Sequence, residues 1–143
     1  MPAAGQIDFY LKEGGDAGQE LVIACKVVAK AWTAGFNVFV LCGDNEQSHR
    51  FDDLLWSFNQ GSFIPHALAG QDPEVRVHID STTDRVPEDV SMVITLHPEP
   101  LAETFHHLRI ADIIGPSEQQ RAEARNRFRY YRSQGINPGM HRL

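Results

Sequence analysis

Between Gly35 and Gly43 the chain runs from Phe36 to Cys42 with almost no polar interruption. A stretch so short and so apolar, bracketed by glycines, predicts a buried strand. Val90 to Leu96 is a second such run and suits a central strand. Helical spacing lies between and around these runs. Leu21, Cys25, Val28, Ala29 and Trp32 recur at helix period, with Gly35 positioned to close that helix. Asp44, three residues before Gln47, approximates a capping box for a second helix ending near Phe58, where Asn59-Gln60-Gly61 stops it.

The remaining elements follow the same logic. Ile7, Phe9 and Leu11 alternate as a first strand before Gly14-Gly15. Val75, Val77 and Ile79 alternate with Arg76 and His78 as a half-exposed strand. Leu108 to Ile114 reads as a further strand after a short helix around Leu101 to Phe105. Ser117, with Gln120 three residues on, caps a last helix ending near Gly135. Strands alternating with helices predict an α/β sandwich around a mostly parallel sheet. We expect one domain over residues 1–136, a loop from Asp80 to Asp89, and a loosely held, flexible tail over residues 137–143.

Composition limits the function classes. The 143 residues carry a net charge of −6, which argues against coating bare nucleic acid. No apolar run approaches the ~18 residues of a membrane span. Met1 to Tyr10 shows no signal region. Cys25 and Cys42 sit among aliphatic residues and read as buried thiols of a cytoplasmic protein. No Gly-x-Gly-x-x-Gly or Gly-Lys-Ser/Thr sequence is present to cradle phosphate. Asp44 could hold a ribose after Gly43, but helix capping explains it more economically. His106 and His107 are adjacent and would face opposite ways on a strand. We therefore expect no catalytic group, metal or cofactor.

Two surface features point to binding partners. Phe51, Leu54, Leu55 and Phe58 form an apolar stripe on the second helix, and Trp56 falls roughly 150° from its middle. Trp56 shares that outer face with His49, Asp52 and Asp53. A tryptophan there is an exposed aromatic, a side chain covered by a loop, or an anchor for a partner. The second feature is electrostatic. Residues 121–132 hold five of the thirteen Lys and Arg against one acid, Glu123, a local charge of +4. Arg121, Arg125, Arg129 and Arg132 fall within roughly 80° of arc, with Phe128 at its edge, then Ala124 and Tyr131. The arrangement is either a solvated basic face or a cationic rim beside an apolar slot for an acidic peptide. Arg127 projects roughly 160° from Arg125 and is expected to matter less for such binding.

These residues also carry a family resemblance. Phe9-Tyr10-Leu11, Cys25, Ala29, Trp32 and Gly35 begin the pattern. Val40-Leu41-Cys42, Asp44, Gln47, Asp52 and Trp56 continue it. Ser62-Phe63-Ile64-Pro65-His66, Leu68-Ala69-Gly70, and Ala124-Arg125 to Tyr131-Arg132 complete it. In this order they resemble the chi subunit of bacterial DNA polymerase III, and Leu55-Trp56 to Gly70 is the most specific block. The resemblance implies a three-layer α/β/α fold with a five-stranded parallel sheet and no enzymatic activity. It implies a link from the clamp-loader complex, through the psi subunit, to the acidic C-terminal tail of single-stranded-DNA-binding protein, with DNA touched only indirectly. Trp56 and Phe63 match positions on the psi-binding side. Arg121 and Arg125 match basic positions that contact the tail, and Phe128 matches an aromatic beside them. The family often has lysine at position 121 and tyrosine at 128, changes that keep charge and shape. The competing readings are a small α/β nucleotide-binding enzyme and a direct binder of single-stranded nucleic acid.

Overall fold

The computed structural model describes residues 5–58 and 63–143. The expected helix stop at Asn59-Gln60-Gly61, and Ser62, lie outside them. In chain order the elements are β1 (Ile7–Leu11), α1 (Gln19–Thr33), β2 (Val38–Leu41), α2 (Asn45–Phe58), β3 (His66–Leu68), β4 (Val77–Asp80), β5 (Met92–Thr95), β6 (Arg109–Ile113), α3 (Glu118–Ser133) and β7 (Gly139–Arg142). A single 3₁₀ turn, Glu103–Phe105, stands where the sequence suggested a short helix. The strands form one sheet in the order β3-β4-β2-β5-β6-β1-β7, with every neighbouring pair parallel.

β2 shows why the layers number three. Val38 and Val40 pack with α1 and α2, while Phe39 and Leu41 pack on the opposite face with Ala124 and Tyr131 of α3. Successive strand side chains point to opposite faces, so a strand apolar at every position needs helices on both sides. The helix starts are fixed as their sequences imply. Ser117 Oγ accepts from the Gln120 N–H at 3.1 Å and Gln120 Oε1 from the Ser117 N–H at 3.0 Å. Asp44 Oδ1 accepts from the Gln47 N–H at 2.8 Å, which assigns Asp44 to capping.

Two expectations need correction. The sheet has seven strands where five were expected. Both additions are edge strands, β3 and β7. The stretch read as a loosely held tail is replaced over Gly139–Arg142 by β7, which pairs with β1 from Asp8↔Gly139 to Leu11↔Arg142. Its docking is specific. A Cβ at position 139 would collide with Asp8 Oδ1, so a larger residue there would have to displace that carboxylate. His141 lies 2.9 Å from Asp8 and stacks on Tyr10 at 4.8 Å.

Candidate protein-interaction sites

The cationic helix α3 lies over the β1 end of the sheet and leaves a groove of about 400 Å³. Phe9, Leu11, Ile114 and Ala124 line its apolar part. Phe128 leans over Phe9 in an edge-to-face contact, centroids 5.4 Å apart. Arg121, Arg125 and Arg129 line the α3 side, and Met140 and Arg142 the β7 side. Ser117 capping fixes where α3 begins, and so which of its arginines overhang the slot. The combination can take an apolar group in the slot and hold neighbouring carboxylates at the rim.

The four arginines of the predicted arc are not equivalent. Arg121 pairs with Glu13 at 3.5 Å, and Arg129 donates to Asn126 Oδ1 at 2.7 Å. Arg125 is exposed, with no hydrogen-bond or ion-pair partner among the described residues. Arg132 is exposed too, but does not line the groove. Met140 and Arg142 line it without having been anticipated. Their only signal was the alternation of β1 opposite them, and a sequence has no sign that the last residues lie beside the first strand.

Arg127 has a different fate from its neighbours. Its side chain is almost fully buried and donates Nε and Nη2 to the two carboxylate oxygens of Asp112, both at 2.8 Å. Nη1 adds a bond to the Pro98 carbonyl at 3.2 Å. Burial pushes the Asp112 carboxyl above its ordinary range, against the opposing pull of the bonds and charge of Arg127. Burial penalises the Arg127 cation as well, but Asp112 more than offsets this and Arg127 is held protonated. The bidentate geometry leaves an ionised pair joining α3 to the middle of β6. Arg127 is thus a core residue, not a spare surface charge. Tyr131 supports the same contact layer, accepting the Leu101 N–H at 2.8 Å, and burial raises its phenol well above the usual value.

The second site lies on α2. Phe51 and Leu55 are buried, whereas Trp56 is 50% and Phe63 65% exposed. Their rings lie 5.2 Å apart, and Trp56 also rests 4.1 Å from the His66 ring. His66 is buried, its Nδ1 2.7 Å from the Ile64 carbonyl and its Nε2 3.3 Å from Asp52 Oδ1. A fixed imidazole behind Trp56, with Phe63 beside the indole, makes a largely apolar platform.

Among the described residues no group of three or more His, Cys, Asp or Glu could hold a metal ion. Burial pushes both thiols, Cys25 and Cys42, up to about 12, with the Asp44 and Asp80 charges adding to the effect at Cys42. No described helix is long and apolar enough to cross a membrane.

The sequence pattern of the family described as "DNA polymerase III chi subunit, HolC" matches residues 5–139. The chain belongs to this family. Chi of Pseudomonas aeruginosa is 34% identical over 139 residues, covering 96% of each chain. Chi of Escherichia coli is 29% identical over 127 residues, covering 87% of this chain and 85% of that one. Chi of Haemophilus influenzae is 26% identical over 117 residues, at 80% and 81% coverage. Among solved structures the C-terminal domain of the DEAD-box protein Dbp5 has the same fold, with a TM-score of 0.61 at 12% identity, covering 97% of this chain and 91% of that one.

Proposed function

We propose that this chain is a cytoplasmic, non-catalytic adaptor of DNA replication. It joins the clamp-loader complex, through psi, to the acidic C-terminal tail of single-stranded-DNA-binding protein. The observation that carries the reading is the groove in which Arg121, Arg125 and Arg129 flank an apolar slot closed by Phe128. A tail ending in acidic residues and then Pro-Phe has the complementary chemistry. Burial of its terminal ring contributes ~1.5–3 kcal/mol. Each well-made bond from Arg121 or Arg125 to a carboxylate contributes ~1.5–3 kcal/mol. Offset by the immobilisation of a flexible peptide, these terms support weak, reversible binding. Arg125, without a partner among the described residues, is the residue we assign to the terminal carboxylate. Trp56 and Phe63 form the anchor for psi, and Arg132 extends the positive field beyond the groove.

The test compares retention on bare single-stranded DNA with retention on DNA coated by its binding protein. An adaptor binds the coated form, loses that binding when the coat protein lacks its last residues, and weakens as salt rises. Preference for bare DNA would replace this reading with direct nucleic-acid binding.

A further inference from the structure

We infer that Arg142 on β7 is a contact for the acidic ligand, and that Glu13 occupies its place until the ligand arrives. The inference rests on the tail-binding reading of the groove and goes further, because the family match ends at residue 139 and leaves Met140 and Arg142 without an assigned role. β7 is held in register by backbone and side-chain contacts together. Met140 stands opposite Phe9 and Arg142 opposite Leu11, so the alternation of the strand turns both toward the groove. His141 turns to the other face, onto Tyr10 and Asp8. The Leu143 N–H donates to the Leu11 carbonyl at 2.8 Å and secures the end of the strand.

Glu13 stands two residues beyond β1 and bridges the two walls. Its Oε1 accepts from Arg142 Nη1 at 2.7 Å, while Oε2 lies 3.5 Å from Arg121 Nη2. The cations of α3 and β7 are therefore spaced to share one carboxylate. The Glu13 side chain is 58% exposed and that of Arg142 65%, so the bridge is a weak, solvated one that another carboxylate can replace. Arg125 needs no such exchange. A ligand with one acid engages Arg125 alone, whereas a ligand with several acids also displaces Glu13 and gains Arg121 and Arg142. Glu13 thus biases the groove toward peptides with more than one carboxylate beside the apolar residue.

The experiment measures fluorescence anisotropy of a labelled peptide, several aspartates followed by Pro-Phe with a free C-terminus, against the full chain. Glu13→Gln is expected to tighten binding about three- to fivefold, and Arg142→Gln to weaken it by a similar factor, the scale of one exposed ion pair. Arg142→Lys, which keeps the charge, is expected to recover most of that loss. Glu74→Gln removes an exposed acid from the connection between β3 and β4, at the far edge of the sheet, and is expected to change binding much less. A gain from Glu74→Gln equal to that from Glu13→Gln would reduce the effect to net charge and overturn the inference. So would unchanged binding in Glu13→Gln and Arg142→Gln while Arg125→Ala weakens it, an outcome that leaves the tail-binding reading standing. Failure of the unaltered chain to bind the peptide at all would remove both.

Discussion

Arg125 and Arg127 stand two residues apart on the same helix and share nothing except their side-chain type. Arg125 is exposed at the rim of the groove with no partner among the described residues, whereas Arg127 is buried with both carboxylate oxygens of Asp112 and the Pro98 carbonyl around it. The difference teaches that a run of arginines is not one feature. A cation enters the core where acceptors wait for it, and stays at the surface where none do. One face of α3 holds the fold, and the other leaves its cations at the surface.

The largest expected effect is on stability. Arg127→Ala should destabilise the domain by ~3–5 kcal/mol, because it strands the Asp112 carboxylate with no exposure to water. Urea denaturation measures this, and removing Asp112 as well should cost clearly less than the two single changes added together. A loss below ~1 kcal/mol would mean that the pair contributes little to α3 docking.

Trp56→Ala provides the next largest effect on the opposite side of the sheet. Half exposed on its platform, Trp56 should be dispensable for folding but contribute ~2 kcal/mol or more to psi binding, measured by calorimetry. Unfolding of that variant would assign Trp56 to the core.

Arg125→Ala is the counterpart of the Arg127 change. Its stability should stay within ~0.5 kcal/mol of the parent, while the acidic peptide binds about tenfold more weakly. If Arg125→Ala unfolded the domain to the extent expected of Arg127→Ala, the division of α3 into two faces would fail.

The smallest effect concerns the two buried thiols. The thiols of Cys25 and Cys42 are raised to about 12, so the folded state keeps protons that the unfolded chain releases near 9. Their contribution is complete below pH 9 and is lost as pH rises toward 12. Alkylation at pH 8 should label neither thiol in the native protein and both after denaturation.

These contrasts also mark what a sequence can reveal. β2 and β5 are legible as continuous apolar runs because both their faces are buried, β1 and β4 as alternation (although β4 proves buried throughout and not half-exposed), and caps such as Ser117 and Gln120 announce a helix. Edge strands leave weaker traces. β3 has only three residues, and β7 passes through Pro138-Gly139 into polar positions whose pairing depends on Asp8, far away in the chain. The arc of Arg121, Arg125 and Arg129 is legible from helical period alone. The burial of Arg127 is not, because its cause lies on another element. Its signal was Asp112, an acid inside the otherwise apolar Ile110 to Ile113 of β6, which asks for a cation across the layer. The exposure of Trp56 follows from the stripe opposite it, whereas the support from His66 depends on how the chain after α2 returns to the sheet.

The most direct measurement is a titration of the isotopically labelled chain with the acidic Pro-Phe peptide, followed by amide chemical shifts. Binding in the groove predicts changes concentrated at Leu11 to Glu13, Arg121 to Arg129 and Met140 to Arg142, with the Trp56 platform silent. Shifts centred on Trp56 and Phe63, or none at millimolar peptide, would contradict it.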